Sequence, residues 1–358
     1  MAKKQNEHQF FTRKLLDWHH TINDRQLPWK EERDPYRIWL SEVILQQTRA
    51  QQGLPYYLRF IETYPTVKQL AAAAEDDVFR LWQGLGYYSR CKNMLATARI
   101  IATEYNGAFP DTYEGLLKLK GIGPYTAAAI ASFAFNRPVA VVDGNVYRVL
   151  SRYMGIATPI DSTEGKKQFA KLANDLIDGD RSAAYNQAIM DFGATQCTPS
   201  NARCADCVLA SQCAANRQQT VELLPVKAKK IKVKERHFTF ILLHHHGRTW
   251  IGKRGPGDIW ENLHQPLLYE SGGAPTLKEL ARFIADAGVA VPANKIVFVA
   301  RTKQRLTHQL IHSELYTIEI NSDIAPAISG GSWLSNSEIK KLAFPKTLIS
   351  FLQNYLYF

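Results

Sequence analysis

The chain has 358 residues, a length that suits about two domains, and 46% of them are hydrophobic, ample for ordinary cores, which excludes a disordered polymer. Lysines and arginines outnumber aspartates and glutamates by 44 to 33, and the resulting net charge of +11 favours a polyanionic partner. The N-terminal MAKKQNEHQF lacks an apolar signal core and no apolar run approaches membrane-spanning length, so the sequence predicts a soluble cytoplasmic protein whose five cysteines are not disulfides.

Residues up to about Cys213 read as helical, Ala-rich with apolar spacings of three and four. In RDPYRIWLSEVILQQTRA, Asp34 and Pro35 form a helix start, and Trp39, Leu40, Val43 and Ile44 make an apolar stripe. Glu42 falls at the edge of that stripe, where desolvation would raise its pKa and keep it protonated near neutrality; the alternative is an ordinary surface-flank glutamate. Gln46, Gln47 and Thr48 form a polar tail suited to base or sugar edges. In QGLGYYSR, Tyr87 and Tyr88 read as helix-start packing. In LKGIGPYTAAAI, Gly121 and Gly123 permit a tight turn with exposed backbone N–H groups, and Pro124 opens a helix whose positive N-terminus can dock a phosphate. In VVDGNVYRVL, Asp143 precedes Gly144 and a helix from Asn145 to Met154, which makes it an N-cap and favours its ionised form. One carboxyl is thus pushed toward the neutral acid and the other toward the anion, the pairing that cleavage of an N-glycosidic bond requires.

Cys197, Cys204, Cys207 and Cys213 spell C-x6-C-x2-C-x5-C, four thiolate ligands that suit an iron–sulfur cluster at least as well as zinc. Cys91 stands apart as a plain buried or half-buried thiol. Residues 214–236, with Pro225 and Lys227, Lys229, Lys230, Lys232, Lys234 and Arg236, read as a solvated basic connector. Beyond it HFTFILL, TWIGKR, KIVFVAR and ELYTIEI read as strands, and TLKELARFIADAG as an amphipathic helix ending at Gly288, which together make an α+β domain. The triplet His244, His245 and His246 is read as leading into a turn at Gly247 rather than as a metal site.

The hairpin, the aspartate loop and the cysteine spacing together resemble the helix-hairpin-helix DNA glycosylases that carry a 4Fe–4S cluster. Within that superfamily the endonuclease III branch has a lysine after the hairpin that attacks the sugar; here the position is Tyr125, and a phenol forms no Schiff base. Glu42 in WLSEVILQQTRA instead matches the general acid of the MutY-type adenine DNA glycosylases. The resemblance implies a multidomain protein with a mainly α-helical catalytic region over 1–213, comprising a six-helix barrel at about 25–134 and a cluster module from 1–24 and 135–213. After the connector, a Nudix-like domain over 237–358 would recognise 8-oxoguanine. It implies monofunctional removal of adenine opposite 8-oxoguanine or guanine in double-stranded DNA, by a monomer acting on the bacterial nucleoid. In that family's scheme Glu42 would protonate the purine at N7, and Asp143 would stabilise or trap the sugar cation, with Tyr125 and Asn145 assisting. Arg25, Leu27, Trp29 and Gln187 match the adenine pocket; Gln47, Thr48, Leu85 and Tyr87 match the probe of the opposite strand. The helix over 276–288 keeps Glu279 but not a Nudix hydrolase's clustered glutamates, so recognition rather than pyrophosphate hydrolysis is implied, through Leu306, Thr307 and His308 in place of a Phe-Ser-His loop. The alternatives are an endonuclease III-like glycosylase and lyase, or a non-catalytic iron–sulfur DNA-binding protein.

Overall fold

The computed structural model describes residues 2–228, 233–321 and 328–355, so Lys229, Lys230 and Lys232 of the expected connector lie outside the described residues. Two compact units form, one from residues up to 71 with 96–229, the other from 72–95 with 230–358. The helices begin with α1 (Ala2–Thr21), α2 (Pro35–Leu45), α3 (Ala50–Thr63), α4 (Val67–Ala72), α5 (Glu75–Trp82) and α6 (Tyr88–Glu104). They continue with α7 (Tyr113–Leu117), α8 (Pro124–Phe135), α9 (Gly144–Met154), α10 (Thr163–Leu176), α11 (Ser182–Thr195) and α12 (Ala214–Gln218). Among the described residues no helix is long and apolar enough to cross a membrane.

The first unit is helical because its apolar residues recur at helical spacing. Val146, Val149, Leu150 and Tyr153 of α9 and Tyr185, Ala188, Ile189 and Phe192 of α11 share the pattern i, i+3, i+4, i+7. Both stripes meet Phe11, Leu15 and Trp18 of α1 in one core, where Phe192 and Trp18 lie edge to face with centroids 4.9 Å apart. Helix α8 is unlike these: Ala127 through Ser132 are all buried, and their small side chains let neighbouring backbone come close.

The second unit carries a mixed seven-stranded sheet with the path β3-β2-β1-β6-β5, in which β4 also pairs with β1 and β7 with β2. Its strands are β1 (Lys234–His245), β2 (Arg248–Lys253), β3 (His264–Gln265), β4 (Leu267–Ser271), β5 (Val297–Arg305), β6 (Gln309–Glu319) and β7 (Gly331–Leu334). The four segments expected as strands form β1, β2, β5 and β6; β3, β4 and β7 were not legible, being short and only partly apolar. Strands β1 and β6 run parallel, and the other ladders are antiparallel. Helix α13 (Leu277–Asp286) starts at a capping box of Thr276 and Glu279, is followed by Gly288 at φ +93°, and packs Leu280 and Ile284 onto Ile241 and Leu243 of β1. Helices α14 (Asn336–Ile339) and α15 (Lys346–Tyr355) complete the unit. His246 and Gly247 both have positive φ and turn the chain between β1 and β2, as expected of the triplet.

The reading of 214–236 as a solvated connector needs correction at both ends. Residues 214–218 form α12, and β1 already begins at Lys234. Arg236 is 9% exposed, its guanidinium forked between Asp258 and Glu270 at 2.6–2.7 Å over the Phe238 ring. A cation with two bidentate carboxylate partners is held in a sheet, which composition alone does not reveal.

Candidate active site

Helix α2 carries Glu42 into the interior of the helical unit. Asp34 caps it, accepting from the Tyr36 N–H at 2.8 Å, with Pro35 in the first turn. The expected single stripe understates the burial, since Tyr36 and Ile38 through Ile44 are all buried and the helix is enveloped. Glu42 is 7% exposed, and desolvation pushes its carboxyl up to about 7. The Tyr125 phenol at the start of α8 is hydrogen-bonded to that carboxyl and partly opposes the shift; the nearby Asp143 charge adds to it. Gln46 at the end of α2 donates to Thr126 Oγ1 at 3.2 Å, tying the two helices where Glu42 and Tyr125 meet.

Asp143 caps α9, as expected. One oxygen accepts from the Asn145 and Val146 N–H groups at 2.8 Å each, and the other from Asn145 Nδ2 at 2.7 Å. Its electrostatics correct the expectation: desolvation raises its pKa and outweighs the cap and the helix dipole. Both acids are therefore pushed the same way. What distinguishes them is their donors, three for Asp143 and one phenol for Glu42, and hydrogen bonds to a carboxylate favour the anion.

A chain of contacts continues from this pair. Asn145 Oδ1 accepts from Arg148 Nη2 at 2.8 Å, and the same guanidinium donates to the carbonyls of Gly193 at 2.6 Å and Cys197 at 2.7 Å. Gly193 is required here, because a Cβ on it would lie 2.6 Å from that of Asn145. Sequence reasoning passed over Arg148 and Arg152, although arginines four apart within the apolar face of α9 were a visible signal. Replacing Arg148 by methionine is expected to strand buried carbonyls, destabilise the fold by about 2 kcal/mol or more, and slow catalysis about 10-fold by releasing Asn145. Urea unfolding and single-turnover rates check this; a wild-type rate would show that Asn145 needs no such anchor.

Residues 40–175 match the HhH-GPD superfamily of base excision DNA repair proteins. The chain is 35% identical over 253 residues to the adenine DNA glycosylase of Buchnera aphidicola subsp. Schizaphis graminum, an alignment spanning 71% of this chain and 73% of that one. The chain belongs to the adenine DNA glycosylase family. The human adenine DNA glycosylase is 41% identical over 223 residues, 60% of this chain and 41% of the human one. Among solved structures, a thermostable thymine-DNA glycosylase superposes with a TM-score of 0.56 at 27% identity, over 60% of this chain and 99% of that one. An endonuclease III trapped covalently on DNA shares the fold at a TM-score of 0.52 and 21% identity, over 61% of this chain and 99% of the other. The protein is thus a DNA glycosylase with a helical HhH-GPD fold and a C-terminal sheet region.

The remaining expected site residues of the glycosylase fall into separate groups. Gln187 lines a pocket with His19, Lys30, Glu32 and Phe133. Arg25 is held by Asp191, fully buried, which accepts from it at 2.7 Å and from Asn23 at 2.9 Å. Trp29 stacks edgewise on Tyr57, 5.5 Å between centroids, and Leu27 is half-buried. Asp191 was not foreseen, since an acid on an otherwise apolar helix face is readable only once its partners are known. Gln47 is exposed with φ +56°, and Thr48 is half-buried. In the hairpin, Gly121 has φ +74°, which favours glycine; Gly123 is extended, and nothing lies within 4 Å of an added Cβ.

In the second unit, Tyr88 is buried and stacks on Phe79, the packing expected at a helix start. Tyr87 is not so packed: it is 43% exposed at φ +50°, and its hydroxyl is hydrogen-bonded to Thr307 in the loop between β5 and β6. Two residues 220 positions apart, singled out separately, are thereby brought together. Leu306 is half-buried and His308 exposed, whereas Leu85 is buried at 5%.

The four cysteines lie between α11 and α12 of the helical unit and line one small pocket with Arg152. Burial raises the thiols of Cys204 and Cys213 and pushes Cys207 up to about 11. Arg152 is 2% exposed, reaching Cys197 Sγ at 3.5 Å and the Thr198 and Pro199 carbonyls at 2.7 and 3.1 Å. The loop is better anchored than its composition suggests, because Leu209 is 2% exposed and joins the α1, α9 and α11 core. Cys91 is a separate, fully buried thiol on α6.

Proposed function

We propose that the protein removes adenine paired with 8-oxoguanine or guanine by hydrolysis of the N-glycosidic bond, without lyase chemistry. The observation that carries this reading is Glu42: a buried carboxyl raised to about 7, in contact with Tyr125 and beside Asp143, in a member of the adenine DNA glycosylases. Protonated Glu42 donates to the departing purine at N7 as the bond from the base nitrogen to C1′ breaks. The Asp143 carboxylate stabilises the sugar cation, and ionised Glu42 then takes a proton from the attacking water. Tyr125 stands where a lyase needs an amine, and its own pKa is raised, which leaves it a hydrogen-bond donor.

The cysteine pocket fits a 4Fe–4S cluster on its donor chemistry. All four side chains are thiols, with the buried Arg152 cation beside Cys197 to offset cluster charge. Cys197, Cys204, Cys207 and Cys213 would hold it, and when bound it would tie the loop together. Double-stranded DNA would dock on the hairpin, where the open Cβ side of Gly123 leaves its backbone approachable.

Recognition of the opposite base is assigned to the sheet unit, Nudix-like in this reading. Thr307 and His308 at the β5–β6 tip would read the 8-oxoguanine edge, with Tyr87 as the wedge. Single-turnover excision on duplexes differing only in 8-oxoguanine or guanine opposite adenine tests the assignment. Thr307→Ala with His308→Ala is expected to cut the preference for 8-oxoguanine by roughly 3- to 10-fold, the size of a lost hydrogen bond or two. An unchanged ratio would move recognition elsewhere. Point substitutions test this better than removing the sheet unit whole, because residues 72–95 pack in the same unit as 230–358, with Lys92 paired to Glu261 and Lys253 to Asp76.

A further inference from the structure

The sheet unit holds a second cluster of ligand-type side chains that the excision chemistry does not use. Glu235 and His237 are two residues apart on β1 and so share a sheet face, and His312 stands opposite His237 in the parallel ladder with β6. The two imidazoles are stacked nearly parallel, 9° apart with centroids at 4.5 Å. His312 Nε2 lies 3.3 Å from Glu235 Oε2, yet it is buried without a hydrogen-bond partner. One donor atom from each of the three residues falls within 4.8 Å of the others. The two histidines, though not Glu235, line a pocket of about 190 Å3 together with Thr239, Arg301, Lys303 and Glu314.

A buried imidazole nitrogen with no hydrogen bond and a carboxylate oxygen 3.3 Å away, together with a second imidazole in register, make the beginnings of a coordination shell, with the pocket beside the two histidines leaving room for water ligands. We propose that Glu235, His237 and His312 form a site for one divalent transition-metal ion of the zinc class, separate from the cysteine pocket. Two nitrogen donors out of three select zinc, nickel or cobalt over magnesium or calcium, which take oxygen ligands. The ion would cross-link β1 to β6 near the first residues of β1. Of the nearby cations, Arg301 is neutralised by Glu314 at 2.8 Å, whereas Lys303, opposite His312 on β5, is exposed and weakens the site by charge.

The test uses the full-length protein with its iron intact, titrated with Zn2+ by calorimetry and with Co2+ by visible absorption. Zinc is expected to bind and raise the unfolding midpoint, and cobalt to give weak visible bands without the intense thiolate charge-transfer band. His237→Gln and His312→Gln should each weaken zinc about 30-fold or more, with iron content and excision rate unchanged. Glu235 is an exposed side chain, so Glu235→Gln keeps the fold should either histidine variant fail; it should weaken zinc about 10-fold. Lys303→Gln should tighten binding a few-fold, an effect that a merely structural role for the histidines does not produce. Zinc uptake that survives all three ligand substitutions, no uptake by the wild type, a thiolate band with cobalt, or equal displacement by magnesium would each overturn the site.

Discussion

Glu42→Gln is expected to slow adenine excision by about 100-fold or more while duplex binding is retained, because the amide keeps the shape and has no acidic proton to transfer to the departing base in the proposed mechanism. Excision at near wild-type rate would remove Glu42 from the role of acid. The same substitution should stabilise the fold. Burial raises the carboxyl from 4.5 to about 7, so the folded state binds the proton more tightly than the unfolded one. Stability from this group is therefore present at acid pH and is lost as pH rises from 4.5 through about 7. Above that range the ionised, buried carboxylate costs the fold about 3 kcal/mol. Glutamine does not ionise, so its advantage should be absent near pH 4, grow through neutrality and level off near pH 8 (approximate values). Denaturant unfolding of both proteins across this range measures it, and a constant difference would contradict the raised pKa. Excision by the wild type should fall about tenfold per pH unit on the alkaline side of the Glu42 pKa.

Cys207→Ser is expected to lose iron, weaken DNA binding and lower the thermal midpoint by about 10 °C or more, the effect of several kcal/mol in a domain of this size. Cys207 is the variant of choice because it lies two residues from Leu209 in the anchored middle of the loop, and burial pushes its thiol up to about 11. The loss should stop short of global unfolding, since Leu209 still pins the middle of the loop to the helical core. Cys91→Ala provides the contrast: its side chain is fully buried on α6, so a modest loss of stability with full iron content is expected. Iron analysis, absorption and calorimetry on both variants decide the matter. Iron loss in Cys91→Ala with retention in Cys207→Ser would overturn the ligand set.

The capped helix start before Glu42, the Asp143 cap, the hairpin glycines and the spacing of four thiols were legible as short local motifs, whereas the roles of Glu42 and Asp143 came from the resemblance to the MutY-type glycosylases, since a glutamate at the edge of an apolar stripe reads equally as a surface residue. Helical and strand segments were legible wherever apolar periodicity ran long, as in α9, α11, β1 and β6. Short strands such as β3 and β7 were not, since a few residues carry too little periodic signal.

Chain order alone thus supplied the candidate reacting groups and the elements that present them. Tertiary structure decided the environment those groups share, which depends on desolvation and on partners distant in the chain. Asp143 illustrates the difference: its cap was readable from Asp143-Gly144-Asn145, but the burial that raises its pKa comes from elements elsewhere in the fold. Arg148 between Asn145 and Cys197, Tyr87 against Thr307, and His237 stacked on His312 are pairings 49, 220 and 75 positions apart at their widest. No local pattern encodes such contacts, because a side chain's protonation and its ligands are set by whatever the fold packs beside it.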